Sequence, residues 1–545
     1  MGKIPARRPE SEIGAEGPQG PARPDFSRLR RALGVRLLAS AALIVFAFPP
    51  FHWGPVILIA LVPLFDAVRL AEAAPAGQRR QASWLLYLGA VLHFAVLLYW
   101  VLFLPPEEVT VPGVIILGFA LLCGYLGLFV FGAMAASRRG LRIGVPLWLG
   151  LPVAWTAGEY LRSVTQLAFP WALLGYGLIE TPVLLQFLSF TGIFGGSLLV
   201  LIVNGLVHAA LIRRGWRWLA PAGMAVALAG AAWVHGRWAI ERLPPAPTLE
   251  VLIVQGNIGR AIKFKPEYRR RNVERMIELS EQGLARGVTL PALVIWPETA
   301  APCYLKLDAE CRTLLAEFVD AAGVPLLTGA PDLESYPDGS ERLSNSAFLI
   351  APKRGLVAQY DKVNLVPFGE AIPYQDRWPA LAAINFGEAD FHRGRGFVPI
   401  RSGDQAFGVM ICFESVFHAV GRAYAREGAS YFVNITNDEW FGRSGGPYQH
   451  AAMAAARAIE NRRGLARAAN TGVSFVVDRA GRVSRATPLF TEAVLRAPVE
   501  LGAGATVAMR IGDLLPWLCL ALTGVMAVAG HRRSPPQGAR PAREV

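Results

Sequence analysis

Eight apolar runs, at residues 37–48, 56–70, 84–104, 114–136, 145–160, 193–212, 219–234 and 511–529, constrain this chain more than any other feature. Several reach the roughly 20 residues needed to cross a bilayer core. The first two are short and flank Pro49-Pro50, so they read as a re-entrant pair or as two short crossings; either choice leaves the side of every later segment unchanged. Charged residues make up only 17% of the 545, against about 25% in soluble proteins, which excludes both the fully soluble and the disordered classes.

Orientation follows from where Lys and Arg fall in the short connections. Arg69, Arg79 and Arg80 follow the second run, Arg138, Arg139 and Arg142 the fourth, and Arg213, Arg214 and Arg217 the sixth. The connections between them are nearly bare of bases: 105–112 holds Glu107 and Glu108, and 161–191 holds only Arg162. Net formal charges are +4 in 1–36, +2 in 69–82, and +3 in each of 137–143, 212–218 and 531–545, together more than the chain's +13. The excess base is a topology signal and no footprint for nucleic acid. The expected domains are a basic disordered cytoplasmic tail at 1–34, about seven spans within 35–240, an extracytoplasmic domain at 245–503, a final transmembrane helix at 508–530 and a basic cytoplasmic tail at 531–545.

From 248 to 499 the texture becomes that of an α/β domain. Short β-rich runs at 249–254, 292–295, 324–328, 346–350, 407–412, 430–435 and 473–477 alternate with helical stretches at 266–285, 309–322 and 448–468. Strands followed by helices predict a sheet with covering helices. Polar chemistry directly follows apolar runs at three places: Trp296-Pro297-Glu298, the stretch from Lys362 to Glu370, and Ile411-Cys412-Phe413-Glu414. A thiol, a carboxylate and an ammonium are the parts that acyl transfer through a thioester needs. The carboxylate removes the thiol proton, and the ammonium with a main-chain N–H stabilises the oxyanion. Phosphate-binding loops, dinucleotide fingerprints and paired Cys/His spacings are absent from the sequence, so no cofactor and no metal is expected.

At these residues the sequence resembles the nitrilase, or carbon–nitrogen hydrolase, superfamily, whose Glu-Lys-Cys triad sits in an αββα sandwich. Lys362-Val-Asn-Leu-Val-Pro-Phe-Gly-Glu370, Asn437-Asp-Glu-Trp-Phe-Gly442, Gly446-Pro-Tyr-Gln-His450 and Ala456-Arg-Ala-Ile-Glu-Asn-Arg462 are similar to the apolipoprotein N-acyltransferase family, as are Gly158-Glu-Tyr-Leu-Arg162, Phe169-Pro-Trp171 and Gly175-Tyr176. The resemblance implies Cys412 as nucleophile, Glu298 as general base and acid, and Lys362 as oxyanion stabiliser. It makes Glu370 and Glu414 supporting carboxylates and the Phe413 N–H a second oxyanion donor. The implied donor is a membrane phospholipid, phosphatidylethanolamine by preference, the implied acceptor a diacylated apolipoprotein, and the implied location the cell inner membrane. Phe264, Trp440, Glu159, Arg162, Trp171 and Tyr176 are the expected substrate contacts, with Glu159 and Arg162 also able to pair on one helical face and Trp171 and Tyr176 able to act as interfacial anchors. The family commonly carries Tyr and Trp where Phe413 and Phe264 stand, which removes a polar handle from each.

Other readings stay open at this point. The same triad serves a membrane-tethered amidase if water takes the acyl group, and an inert nitrilase-like domain could sit on a scaffold or transporter. Cys303 and Cys311 could be bridged or free. His450 has no ligand cluster around it and reads as a packing or hydrogen-bonding residue.

Overall fold

The computed structural model describes residues 26–104, 113–375, 377–384 and 391–533. The outer parts of both expected tails and the 105–112 connection lie outside them.

Each apolar run lies on a helix. The eight are Ser27–Ala47, Gly54–Glu72, Arg79–Leu97, Val114–Arg142, Leu147–Leu161, Ile193–Leu211, Leu219–Glu241 and Leu514–Arg532. By length and composition five of them are apolar enough to cross a membrane: Gly54–Glu72, Ile115–Arg142, Ile193–Leu211, Gly215–Glu241 and Leu514–Arg532. The first helix starts at Ser27, inside the stretch expected to be a tail. It absorbs Arg28, Arg30 and Arg31 and reaches 21 residues, about 30 Å at 1.5 Å per residue. Gly54–Glu72, at 19 residues, is one of the five, and Ser27–Ala47, which carries Arg28, Arg30, Arg31 and Arg36, is not.

One end of the bundle meets the α/β domain. Gln449 Nε2 donates to the carbonyls of Pro49 and Leu97, both at 3.3 Å, and the Gly445 N–H donates to Tyr99 Oη at 2.9 Å. The Ile193 N–H donates to Glu460 at 2.8 Å, and Arg422 holds Asp513 at 2.7 Å. These contacts put the ends of the first and third helices and the starts of the sixth and eighth on the domain side. Consecutive helices alternate, so the basic connections fall at the opposite end, where Glu72 takes Arg138 at 2.8 Å and Arg142 at 3.3 Å.

The α/β domain holds two six-stranded sheets. The first orders β12 (Ala493–Glu500), β1 (Thr248–Gln255), β2 (Leu293–Ile295), β3 (Leu326–Ser335), β4 (Glu341–Ala351) and β5 (Gly355–Asp361). The second orders β11 (Val483–Ala486), β10 (Phe475–Val477), β9 (Leu465–Ala469), β8 (Tyr431–Thr436), β7 (Gln405–Ile411) and β6 (Ile400–Ser402). Side chains alternate across each strand. On β1, Val251 and Ile253 join one core with Val409, Ile411, Val433 and Ile435 of the second sheet, while Leu252 and Val254 pack outward with Met276, Leu279, Leu315 and Phe318. The sheets therefore lie face to face, with helices Arg269–Ala285 and Ala309–Ala322 outside one and His418–Arg426 and Gly446–Asn461 outside the other: the four αββα layers the resemblance implies.

The helix expected at 448–468 ends at Asn461. Arg462 turns left-handed at φ 52°, and Leu465–Ala469 is the buried strand β9. Its Leu-Ala-Arg-Ala-Ala sequence has helical propensity, and pairing with β8 and β10 overrides it. Strands β5, β6, β11 and β12 were also missed. β11 is wholly exposed, and β5 only partly buried over most of its length, so neither shows a buried-strand pattern.

Candidate active site

Three strand ends converge between the sheets. Glu298 follows β2, and Gly329 on β3 lets its loop come close: a Cβ there would stand 2.5 Å from the Thr299 nitrogen and 2.7 Å from the Glu298 Cα. Lys362 follows β5, its N–H bound to the Asn345 carbonyl at 2.9 Å. Cys412 follows β7 with φ 50°, a left-handed conformation that a non-glycine residue keeps only when its surroundings hold it.

The carboxylates are fixed from several sides. Glu298 Oε1 accepts from Asn345 Nδ2 at 2.8 Å and lies 3.7 Å from Lys362 Nζ, and its Oε2 accepts from the Asn437 N–H at 2.8 Å. Glu370 holds Lys362 Nζ at 2.7 Å and is itself held by Asn345 at 3.2 Å and the Val366 N–H at 2.9 Å. Glu414 ties the lysine strand to the cysteine strand. Its Oε1 accepts from Tyr360 Oη at 2.7 Å, the Val363 N–H at 2.8 Å and the Asn364 N–H at 3.1 Å, and its Oε2 accepts from the Ile411 N–H at 2.8 Å.

Burial would lower the Lys362 pKa, but Glu370 and Glu298 outweigh it and hold the ammonium well above the ordinary lysine range. Burial pushes the Cys412 thiol well above its usual value; the Glu298 charge adds to this, and Lys362 opposes it. A thiol raised in this way is mostly protonated at neutral pH, so chemistry on its sulfur would need a base. Burial lifts Glu414 to about 7, against hydrogen bonds that favour the carboxylate.

Several residues here escaped sequence reasoning. Lys263, 2% exposed, donates to the Glu298 carbonyl at 3.0 Å, and burial lowers its pKa to about 8. Its short helix, Arg260–Lys263, gives no periodic signal. Asn345 and Tyr360 sit on β4 and β5 between polar neighbours, Ser344 and Ser346 in one case and Gln359 and Asp361 in the other, so no apolar run sets them off. Phe413 uses its ring for packing, 6.0 Å from Phe169 and 5.2 Å from Phe417, which needs no hydroxyl.

The expected substrate contacts divide. Phe264 is 54% exposed beside Lys263, and Trp440 carries the Arg260 guanidinium 3.7 Å above its ring. Trp171 and Tyr176, each 1% exposed, are instead packed into the junction between bundle and domain. Trp171 Nε1 donates to Gln449 at 2.8 Å, and Tyr176 Oη donates to the Val416 carbonyl at 3.3 Å. The expected Glu159–Arg162 pairing gives way to shared bracing of one loop. Glu159 accepts from the Leu174 N–H at 2.9 Å, and Arg162 donates to the carbonyls of Phe169 and Trp171 at 2.8 Å and of Ala172 at 3.3 Å. That loop carries backbone groups without regular partners, and the two charges satisfy them. Cys303 and Cys311 form a disulfide.

Two facing sheets with a carboxylate, an ammonium and a thiol at their strand ends define a protein of the carbon–nitrogen hydrolase class, and residues 251–508 match the Carbon-nitrogen hydrolase family model. Residues 40–206 match the Apolipoprotein N-acyltransferase N-terminal domain. The chain is 34% identical over 520 residues to the apolipoprotein N-acyltransferase of Geobacter metallireducens, covering 94% of this chain and 97% of that one. It is 33% identical to that of Rhodopseudomonas palustris, with 92% and 95% covered, and 31% identical to that of Chlorobaculum tepidum, with 91% and 96% covered. The chain belongs to the apolipoprotein N-acyltransferase family.

Proposed function

We propose that this chain is an N-acyltransferase that moves an acyl chain from a membrane phospholipid, phosphatidylethanolamine by preference, to the N-terminal amine of a diacylated apolipoprotein. The observation that carries the reading is the meeting of Glu298, Lys362 and Cys412 at the ends of β2, β5 and β7, on a domain joined to membrane-length helices. Glu298 takes the Cys412 proton as Sγ attacks the donor ester. Lys362 and the Phe413 N–H receive the oxyanion. As the C–O bond breaks, Glu298 returns the proton to the departing lysophospholipid oxygen, leaving a thioester. The acceptor amine then attacks the thioester carbonyl. Glu298 takes a proton from the nitrogen and returns it to sulfur as the C–S bond breaks.

The chain's location follows the same reading. Arginine-rich connections at the end of the bundle remote from the catalytic domain support a cytoplasmic end there and a domain on the outer side of the inner membrane. The Cys303–Cys311 disulfide fits an oxidising compartment.

The test uses purified protein in vesicles containing phosphatidylethanolamine, with a diacylated lipopeptide. N-acylated lipopeptide and lysophospholipid in equal amounts, both lost in Cys412→Ala, are the expected products. Free fatty acid with unmodified lipopeptide would favour the amidase-type alternative.

A further inference from the structure

His450, on helix Gly446–Asn461, is fully buried, and the chemistry above does not use it. Its Nε2 stands 3.1 Å from the Cys412 carbonyl oxygen and 3.2 Å from Ser415 Oγ, and its Nδ1 stands 2.9 Å from Asp438 Oδ1. Ser415 Oγ donates to the same Cys412 carbonyl at 3.0 Å. Thr436 holds Asp438 Oδ1 at 2.9 Å, and Arg467 holds its Oδ2 at 2.7 Å. Ser415, His450 and Asp438 form a chain of the kind that activates a serine nucleophile, yet Ser415 is fully buried. The chain ends on a carbonyl instead.

That carbonyl belongs to the Cys412–Phe413 peptide. A trans peptide is planar, with its C=O and N–H pointing in opposite directions, so anchoring the oxygen aims the Phe413 N–H to the other side. Phe413 is the second residue of the short helix Cys412–Val416, where an N–H has no partner within the helix, and among the described residues this one has no acceptor. The clamp also opposes relaxation of the left-handed Cys412 backbone.

We propose that His450, backed by Asp438 and Arg467 and aided by Ser415, is a positioning residue that clamps the Cys412 carbonyl and thereby aims the Phe413 N–H at the oxyanion. The inference rests on the reading of Cys412 as nucleophile. Both ring nitrogens face acceptors, Nδ1 the Asp438 carboxylate at 2.9 Å and Nε2 the Cys412 carbonyl at 3.1 Å, so the clamp is the doubly protonated ring; Asp438 supports that charge against burial and Arg467, which lower its pKa. Trp171 of the membrane domain lies over the ring at 5.5 Å and 30°, so the bundle closes the clamp.

Glutamine can present an amide N–H near the Nε2 position, whereas asparagine presents one near Nδ1. In the full-length protein, His450→Gln is expected to acylate within about threefold of wild type. His450→Asn and His450→Ala are expected to lose about 10–100-fold in kcat, with KM for phosphatidylethanolamine unchanged. Ser415→Ala, which removes one donor and little volume, is expected to lose about 3–10-fold in kcat and keeps the test decisive if the His450 variants fail to fold. Equal rates in His450→Gln, →Asn and →Ala, asparagine outperforming glutamine, a loss confined to KM, or a wild-type kcat in Ser415→Ala would overturn the clamp. Absence of an acyl adduct on wild-type Cys412 would instead overturn the underlying reading of the nucleophile.

Discussion

Glu414→Gln separates positioning from bulk packing, because it keeps the volume and changes one acceptor. At pH 8 the Glu414 carboxylate is ionised and serves four donors, three on Oε1 and the Ile411 N–H on Oε2. Glutamine can keep its carbonyl toward Tyr360, Val363 and Asn364, but its NH2 then faces the Ile411 N–H, donor against donor. The lost charge-assisted bond is worth about 1.5–3 kcal/mol and the stranded buried donor about 1–3 kcal/mol, so a loss of about 3–5 kcal/mol is expected. That corresponds to a fall in Tm of about 10 °C at 2–4 °C per kcal/mol for a domain of this size. Ile411 immediately precedes Cys412, so a displacement of about 1 Å there should also cost about 100-fold in kcat. Thermal unfolding and the vesicle transfer assay, run on the same preparation, read both effects. A variant with wild-type Tm and wild-type kcat would refute the claim that Glu414 seats the strand that carries Cys412.

Three further outcomes follow from the same geometry. Because the Cys412 pKa is raised, the thiolate fraction is small at neutral pH and grows as pH rises; alkylation of the resting enzyme by iodoacetamide, read by mass spectrometry, should still be climbing at pH 9, and a plateau below pH 8 would contradict this. Lys362→Met leaves Glu298 and Glu370 facing each other without the cation between them, so it should abolish transfer and cost about 3–5 kcal/mol in thermal unfolding; a stable, active variant would count against it. Trp171→Phe removes the bond to Gln449 and should lower Tm by a few degrees at about 1 kcal/mol while leaving KM for phospholipid unchanged; a tenfold rise in KM would make Trp171 a substrate contact after all.

The hydrophobic run lengths and the arginine spacing made the alternation of the bundle legible, since crossing a bilayer demands both. The strand ends carrying Glu298 and Cys412 were legible because each breaks an apolar run with a charged or nucleophilic group, whereas Lys362 was legible from the Lys362–Glu370 segment although β5 before it was not. What stayed hidden depends on distant packing. The bracing by Glu159 and Arg162 depends on an N–H and on carbonyls of a loop downstream, and nothing in their spacing reports that. Lys263 reaches Glu298 across 35 positions of sequence, and β9 is a strand only because β8 and β10 flank it. His450 read as a hydrogen-bonding residue, but its partner, the Cys412 carbonyl, belongs to the backbone, which no residue pattern marks.

The most direct test of the account is the intact mass of the full-length protein after exposure to phosphatidylethanolamine, before and after addition of a diacylated lipopeptide. The account predicts a hydroxylamine-sensitive acyl adduct that requires Cys412, persists without the peptide and moves to its amine on addition. An adduct that decays at the same rate with and without the peptide, or one that survives in Cys412→Ala, would contradict it.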